Sequence, residues 1–131
     1  MKEVDFMKIY VSHSSNCDYV NEIYGPLKES KLYDENEVYL PHDGKVSNTK
    51  EVIRKSDLLV AECSYNSTGQ GIEIGWASSF GVPILCVYKK DFVISSALKY
   101  ITDSIVSYES SFDMVDIIDE FINKIVNKKN F

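Results

Sequence analysis

The chain has 131 residues, of which 44% are hydrophobic, and this length and composition suffice for one domain with a single buried core. Its formal net charge of −6 argues against a nucleic acid polymer as partner. Its 3 cysteines are widely spaced and form no metal-ligand pattern, so we expect neither a disulfide framework nor a zinc site. Because no apolar run approaches the roughly 20 residues of a membrane span, and residues 1–6 carry charges where a secretory signal is apolar, we expect a cytoplasmic protein.

Short apolar runs alternate with amphipathic segments along the whole chain. The runs predict strands at 7–12, 37–40, 57–62, 83–88 and 105–108. Helices are expected over 18–31 with an interruption at Gly25 and Pro26, from Ser47 or Asn48 to Lys55, after a glycine-rich loop up to Gly81, and from Ser110 or Ser111 onward. This alternation predicts a single α/β domain over 1–131, with a doubly wound, five-stranded parallel sheet in flavodoxin-like order and helices on both faces.

The last helix is predicted from its hydrophobic spacing. Its expected buried residues are Phe112, Val115, Ile118, Phe121, Ile122 and Ile125.

Ligands of open α/β sheets bind beyond the carboxyl ends of the strands, where the strand order reverses. That rule selects the segments 12–16, 41–45 and 63–73. The third is the most informative, because Gly69 and Gly71 permit a sharp turn and a close backbone approach to a ligand. Glu73 then falls in the first turn of the following helix, where the helix dipole favours an ionised carboxylate. Spacing alone leaves two interpretations open, a nucleophile at the mouth of a pocket or a residue that merely caps the helix.

The segments 56–64, 69–77 and 81–85 resemble the signature of the nucleoside 2-deoxyribosyltransferase superfamily. They are closer to its branch of 2'-deoxynucleoside 5'-monophosphate N-glycosidases than to the classical transferases. The resemblance implies that Glu73 is the nucleophile. Ser67 stands six residues earlier, where the hydrolase branch has Ser and the transferases have Asp, and this favours hydrolysis. No cofactor or metal is implied.

The resemblance implies further site residues at the end of the first strand and beyond the fourth. Tyr10 is placed beside the sugar and the nucleophile, with a simple core tyrosine as the alternative. His13 and Ser14 belong to the substrate-binding segment after the first strand, but the Arg-Gly-Gly that follows in the nucleotide hydrolases is replaced by Ser-Asn-Cys, which leaves a 5'-phosphate open. Ser96 corresponds to a residue by which a second subunit completes the pocket, so a homodimer with a shared active site is expected; an ordinary helix cap is the alternative.

One departure from the family concerns the group that assists the leaving base. The resemblance implies an Asp about twenty-four residues before the nucleophile, and this chain has Thr49 there. Asp43 is our candidate for the missing acid, and His42 is a second. The expected function is hydrolysis of the N-glycosidic bond of a (deoxy)nucleoside or its monophosphate through a glycosyl-Glu73 intermediate. The alternatives are base exchange, a TIR-like NAD glycohydrolase suggested by residues 11–15, and a non-catalytic nucleotide-binding module favoured by Thr49.

Overall fold

The computed structural model describes residues 7–44 and 48–129 of the chain. The strands are β1 (Lys8–His13), β2 (Glu37–Tyr39), β3 (Leu58–Glu62), β4 (Ile84–Lys89) and β5 (Ile105–Tyr108). The α-helices are α1 (Gly25–Lys28), α2 (Lys31–Glu35), α3 (Thr49–Arg54), α4 (Thr68–Phe80) and α5 (Ser111–Lys129). A π-helical turn, Val20–Tyr24, precedes α1, and a 3₁₀ turn, Ser96–Tyr100, precedes β5. None of the helices in these described ranges is long and apolar enough to cross a membrane.

The five strands form one parallel sheet in the order β2-β1-β3-β4-β5. The order reverses between β1 and β3, so the carboxyl ends of these two central strands form the crevice in which such sheets bind ligands. Ser12 pairs with Ala61 and His13 pairs with Glu62 at this edge. The predicted flavodoxin-like fold is thereby confirmed.

Helices cover both faces of the sheet, and each face has its own hydrophobic core. Alternate residues of β3 point to opposite sides, with Leu58 and Val60 in one core and Leu59 and Ala61 in the other. The first core packs against α1 and α5, and the second packs against α3 and α4. Because both faces of β3 are covered, the strand consists almost entirely of apolar residues.

The interruption expected at Gly25 and Pro26 takes the form of a widened turn. The Gly25 amide donates to the carbonyl oxygen of Val20, five residues earlier, which is the hydrogen bond of a π-helix. Pro26, which has no amide hydrogen to donate, then falls in the first turn of α1.

The interior face of α5 differs from the prediction at one residue. Phe112 was expected to be buried, but its side chain is 73% exposed, whereas Met114 is 1% exposed. The buried stripe runs through Met114, Ile118 and Ile122, and Phe112, two residues before Met114, lies on the other side of the helix. Val115, Phe121 and Ile125 are only partly buried.

Two helix starts near the site are fixed by side-chain caps. Asn48 Oδ1 accepts a hydrogen bond from the Glu51 amide at 3.2 Å and begins α3, as one of the two predicted caps; the other, Ser47, lies outside the described residues. Ser67 Oγ accepts from the Gln70 amide at 3.5 Å and begins α4. The helix ends at Gly81, whose φ of 75° is the left-handed conformation that glycine adopts without strain.

Candidate functional site

The carboxylate of Glu73 is held between two hydroxyl groups of β1. The Tyr10 hydroxyl donates to Oε2 at 2.6 Å, and the Ser12 hydroxyl donates to Oε1 at 2.8 Å. Hydrogen bonds to an ionised acceptor are short and strong, and one on each oxygen fixes the plane of the carboxylate. The Glu73 side chain is only partly buried, so both oxygens keep unused lone pairs near solvent.

Helix α4 begins earlier than the sequence pattern suggested. Its first residue is Thr68, so Glu73 lies in the second turn and not in the first, and the cap is Ser67. The predicted dipole effect on Glu73 and the alternative in which it caps the helix are therefore both wrong. Neither Gly69 nor Gly71 makes the sharp turn that was expected, because both have helical backbone angles. An added methyl group at either glycine would meet no protein atom within 4 Å, which leaves open space on the outer side of this first turn.

Gln70 ties the start of α4 to the ends of two strands. Its side chain is 5% exposed, and its Nε2 donates to the carbonyl oxygen of Glu62 at 2.7 Å and to that of Ser12 at 3.2 Å. These bonds satisfy two carbonyl groups at the carboxyl ends of β3 and β1, and they set the distance between α4 and the sheet. Glu73, one helical turn further on, is thereby aimed at Ser12 and Tyr10.

Tyr10 is both a core residue and a partner of Glu73. Its side chain is 0% exposed, and its ring stacks on that of Tyr39 with centroids 5.2 Å apart. Burial and the adjacent Glu73 carboxylate raise the pKa of the Tyr10 hydroxyl far above its ordinary value, so it remains a hydrogen-bond donor at any physiological pH. An interaction with the Thr49 side chain acts weakly in the opposite direction on this pKa. Thr49 therefore lies beside Tyr10, next to the site.

Four aromatic rings form a cluster at the carboxyl ends of β1 and β2: His13, Tyr19, Tyr24 and His42. Both ring nitrogens of His13 are engaged. Nδ1 donates to the Ser14 carbonyl oxygen at 2.9 Å, so Nε2 accepts from the Tyr24 hydroxyl at 2.7 Å. Burial lowers the pKa of His13, which keeps this ring neutral. A substrate can therefore contact only the carbon atoms or the face of the His13 ring, because both ring nitrogens already have hydrogen-bond partners.

Ser14 and Asp43, two other predicted site residues, already have protein partners. Ser14 is 1% exposed, and its Oγ accepts from the Asn16 amide at 3.0 Å. The Asp43 carboxylate forms an ion pair with Lys28 of α1 at 2.9 Å, with both side chains about two-fifths exposed. The hydrogen-bond partners of Glu73 in the described part of the chain are Tyr10 and Ser12, so the roles of Ser14 and Asp43 stay predictions.

A cavity of about 500 Å³ lies between the first turn of α4 and the segment around the 3₁₀ turn. Ser67, Gly71 and Gln70 line its helical wall, and Ser95 and Leu98 line the opposite wall. Glu73 does not line this cavity, and of the predicted site residues it brings together only Ser67 and Gly71. Ser96 does not line the cavity itself but stands between two lining residues, Ser95 and Ala97, and Ser95 is the cap of the 3₁₀ turn.

Comparison with known proteins gives two sequence relatives. A Methanosarcina mazei protein named "Putative 2'-deoxynucleoside 5'-phosphate N-hydrolase 1" is 33% identical over 100 residues, which make up 74% of this chain and 57% of that protein. A protein of the same name from Methanosarcina barkeri is 35% identical over 74 residues, or 54% of this chain and 46% of that protein. The matched region thus spans about half the length of these curated relatives. No protein-family model matches the chain.

Solved structures share the fold at lower identity. The CMP N-glycosidase BcmB of Clostridium botulinum aligns with a TM-score of 0.60 and 19% identity over 86% of this chain and 98% of that one. A conserved protein from Enterococcus faecalis aligns with the same TM-score and 18% identity over 88% of this chain and 99% of that one. These relatives and structural neighbours support the resemblance to the nucleoside 2-deoxyribosyltransferase-like superfamily. The resemblance noted in the sequence is thereby confirmed.

Ser12 and Gln70 belong to this candidate site but were not among the residues predicted from the sequence. Ser12 ends the first predicted strand, and its position opposite Ala61 depends on the register of β1 and β3. Gln70 stands between the two glycines, and its burial depends on how α4 docks on the sheet. Both residues are polar and lie in segments that the strand-end rule had selected, 12–16 and 63–73, and this was the signal by which they could have been found.

Proposed function

We propose that the chain hydrolyses the N-glycosidic bond of a (deoxy)nucleoside or its 5'-monophosphate, with Glu73 as the nucleophile. The observation that carries this proposal is the Glu73 carboxylate held on both oxygens by the hydroxyls of Tyr10 and Ser12 at the topological switch point of the sheet. The names of the two archaeal relatives and of the clostridial structural neighbour support the same class of reaction.

In the proposed reaction, one Glu73 oxygen attacks the anomeric carbon of the sugar while the bond from that carbon to the base nitrogen breaks. The electron pair of that bond leaves with the base, which takes up a proton. Water then attacks the same carbon, the ester bond to Glu73 breaks, and the sugar keeps the water-derived hydroxyl while the second proton of the water is released and balances the one taken up by the base. The Tyr10 and Ser12 hydroxyls hold the carboxylate before the attack, so little reorganisation is needed as its charge is consumed.

The test is release of free base from a panel of deoxynucleosides, ribonucleosides, their 5'-monophosphates and NAD, followed by chromatography. Glu73→Gln preserves size and hydrogen-bonding reach but removes the attacking charge, so we expect turnover to fall by several orders of magnitude. The control Glu109→Gln changes an exposed carboxylate that pairs with Lys90 and should leave the rate unchanged. Mass spectrometry with a slow 2-fluoro-sugar substrate should locate the adduct on the peptide that contains Glu73. Normal base release by Glu73→Gln, or an adduct elsewhere, would contradict the assignment.

A second candidate function is a nucleotide-binding module without turnover, and Thr49 is the observation that favours it. Thr49 lies beside Tyr10, at the position where the resemblance implies a carboxylate that assists the leaving base. If the wild-type chain binds nucleotides, releases no base from any substrate in the panel, and gains activity in Thr49→Asp, the module is the better description. Release of nicotinamide from NAD alone would instead support the TIR-like alternative.

We also propose a homodimer that shares its active sites through the segment around Ser96. Large apolar side chains are exposed on α4 and on the 3₁₀ turn, where Ile72 is 49% exposed and Tyr100 is 82% exposed. Burial of such a surface against a second copy would remove it from water. Sedimentation equilibrium at micromolar concentration should give the dimer mass, and Tyr100→Glu should give a monomer. A wild-type monomer would contradict both the interface and a role for Ser96.

A further inference from the structure

His42 has a free imidazole beside the site. The residue lies in the loop after β2, at the carboxyl edge of the sheet, and its side chain is exposed. Its ring centroid lies 5.4 Å from that of His13 and 5.2 Å from that of Tyr19. Within residues 7–44 and 48–129, neither ring nitrogen of His42 has a hydrogen-bond partner. The imidazole is thus held by its faces, and both of its proton-carrying positions are available to a ligand.

The backbone at His42 is fixed to the end of β1. Its amide donates to the Tyr24 hydroxyl at 3.0 Å, and this hydroxyl in turn donates to Nε2 of the buried His13 at 2.7 Å. His13 directly follows Ser12, whose hydroxyl binds Glu73. The negative charge of Glu73 also contributes to the raised pKa of Tyr24, so the anchor of the loop lies within electrostatic reach of the carboxylate. Because successive residues of a strand point to opposite faces of the sheet, His13 and the His42 ring packed on it lie on the face opposite Ser12 and Glu73. At the carboxyl edge, the crevice therefore has Glu73 on one side and His42 on the other.

Asp43, the neighbouring residue, is in a different situation. Its carboxylate is bound to the ammonium group of Lys28 at 2.9 Å, on the side of α1. The use of this carboxylate at the site would require breaking its ion pair with Lys28. Of the two candidates in this loop, His42 is the one whose acid-base group is unoccupied.

The geometry points to His42 as the catalytic acid that protonates the leaving base in this chain, in place of the carboxylate that Thr49 lacks. The inference rests on the proposed function of Glu73. As the glycosidic bond breaks, the imidazolium of His42 gives its proton to a ring nitrogen of the departing base, which carries away the bonding electron pair. When water later attacks the anomeric carbon, the neutral imidazole takes one proton of that water, and the imidazolium is restored. The sum is substrate plus water giving free base plus free sugar.

The test compares substrates that need an acid with substrates that do not. Pairs share one sugar and differ in the leaving ability of the base; for a purine, the pair is the unmodified compound and its N7-methylated form, whose base already carries a positive charge. His42→Gln should lower kcat/KM for the unmodified substrate by about 10²- to 10⁴-fold and should change that for the methylated one by less than tenfold. A residue that only supports the loop would lower both equally.

Two further variants make the outcome decisive. Asp43→Asn should leave the ratio of the two rates at the wild-type value, and His42→Ala should regain activity toward the unmodified substrate when imidazole is added. Equal losses for both substrates in His42→Gln, no rescue by imidazole, or a leaving-group-dependent loss in Asp43→Asn would overturn the inference while leaving Glu73 as nucleophile. A wild-type chain that cleaves neither substrate of any pair would refute the proposed function, and this inference would fall with it.

Discussion

The variant Tyr10→Phe tests how much the hydrogen bond from Tyr10 to Glu73 contributes to stability and how much it contributes to catalysis. The variant keeps the buried ring and its stacking on Tyr39 but removes the hydroxyl that donates to Glu73 at 2.6 Å. A hydrogen bond to a charged group contributes about 1.5–3 kcal/mol. Because Glu73 is only partly buried, water can replace the lost donor, so we expect a loss of unfolding free energy near the lower end of that range.

The rate effect follows from the same number. If the full bond energy serves to hold the carboxylate for attack, kcat/KM falls by at most about 10- to 100-fold, at roughly 1.4 kcal/mol per factor of ten. The chain offers a matched control, because the Tyr108 hydroxyl donates to the Glu62 carboxylate at the same 2.6 Å. That pair is buried, with Tyr108 4% and Glu62 3% exposed, so Tyr108→Phe should lose more stability than Tyr10→Phe while it keeps its activity. Urea unfolding measures the loss of stability in each variant, and steady-state kinetics measure the loss of kcat/KM. We expect the larger loss of stability in Tyr108→Phe and the larger loss of activity in Tyr10→Phe. Equal losses of activity in the two variants would refute the reasoning.

Three further predictions concern the packing around the site. Gly81→Ala should cost about 1–2 kcal/mol of unfolding free energy because its φ is 75°, while Gly69→Ala, which is helical with open space around it, should cost none in the same urea titration. The pKa of His13 is lowered on folding, so stability should be complete at neutral pH and fall as the pH drops below about 6.5; the slope of Tm against pH should be flatter in His13→Gln. Met114→Ala should cost about 2–5 kcal/mol, against less than about 0.5 kcal/mol for Phe112→Ser, as measured by thermal unfolding.

The strands could be predicted from the sequence to within a residue or two, because a parallel strand that is buried on both faces consists mostly of apolar residues. Residues 58–62 are all buried, and the sequence there is correspondingly apolar up to the polar residue that ends the strand. The strand order followed from the same alternation of strands and helices, since short right-handed crossovers allow few arrangements.

The start of α4 could not be read correctly, since glycines near a helix end carry an ambiguous signal. Gly69 and Gly71 are equally compatible with a loop and with a first turn, and the choice is made by Ser67 as cap and by the burial of Gln70 against two strands. Those bonds span 58 and 8 residues along the chain and depend on tertiary docking. For the same reason the placement of Glu73 in the second turn was missed, although its partner Tyr10 was identified from the family resemblance.

Two carboxylates stand at the same edge of the sheet, and their surroundings explain why only one of them suits a nucleophile. Glu62 ends β3 and is 3% exposed; its oxygens accept from the Ser64 amide, the Ser64 hydroxyl and the Tyr108 hydroxyl. With three donors and almost no solvent contact, it has no open path to an electrophile, and its hydrogen bond with Tyr108 joins β3 to β5. Glu73 accepts one hydroxyl on each oxygen and remains partly exposed. It is fixed well enough to aim and open enough to react, which is the combination that attack on a sugar carbon requires.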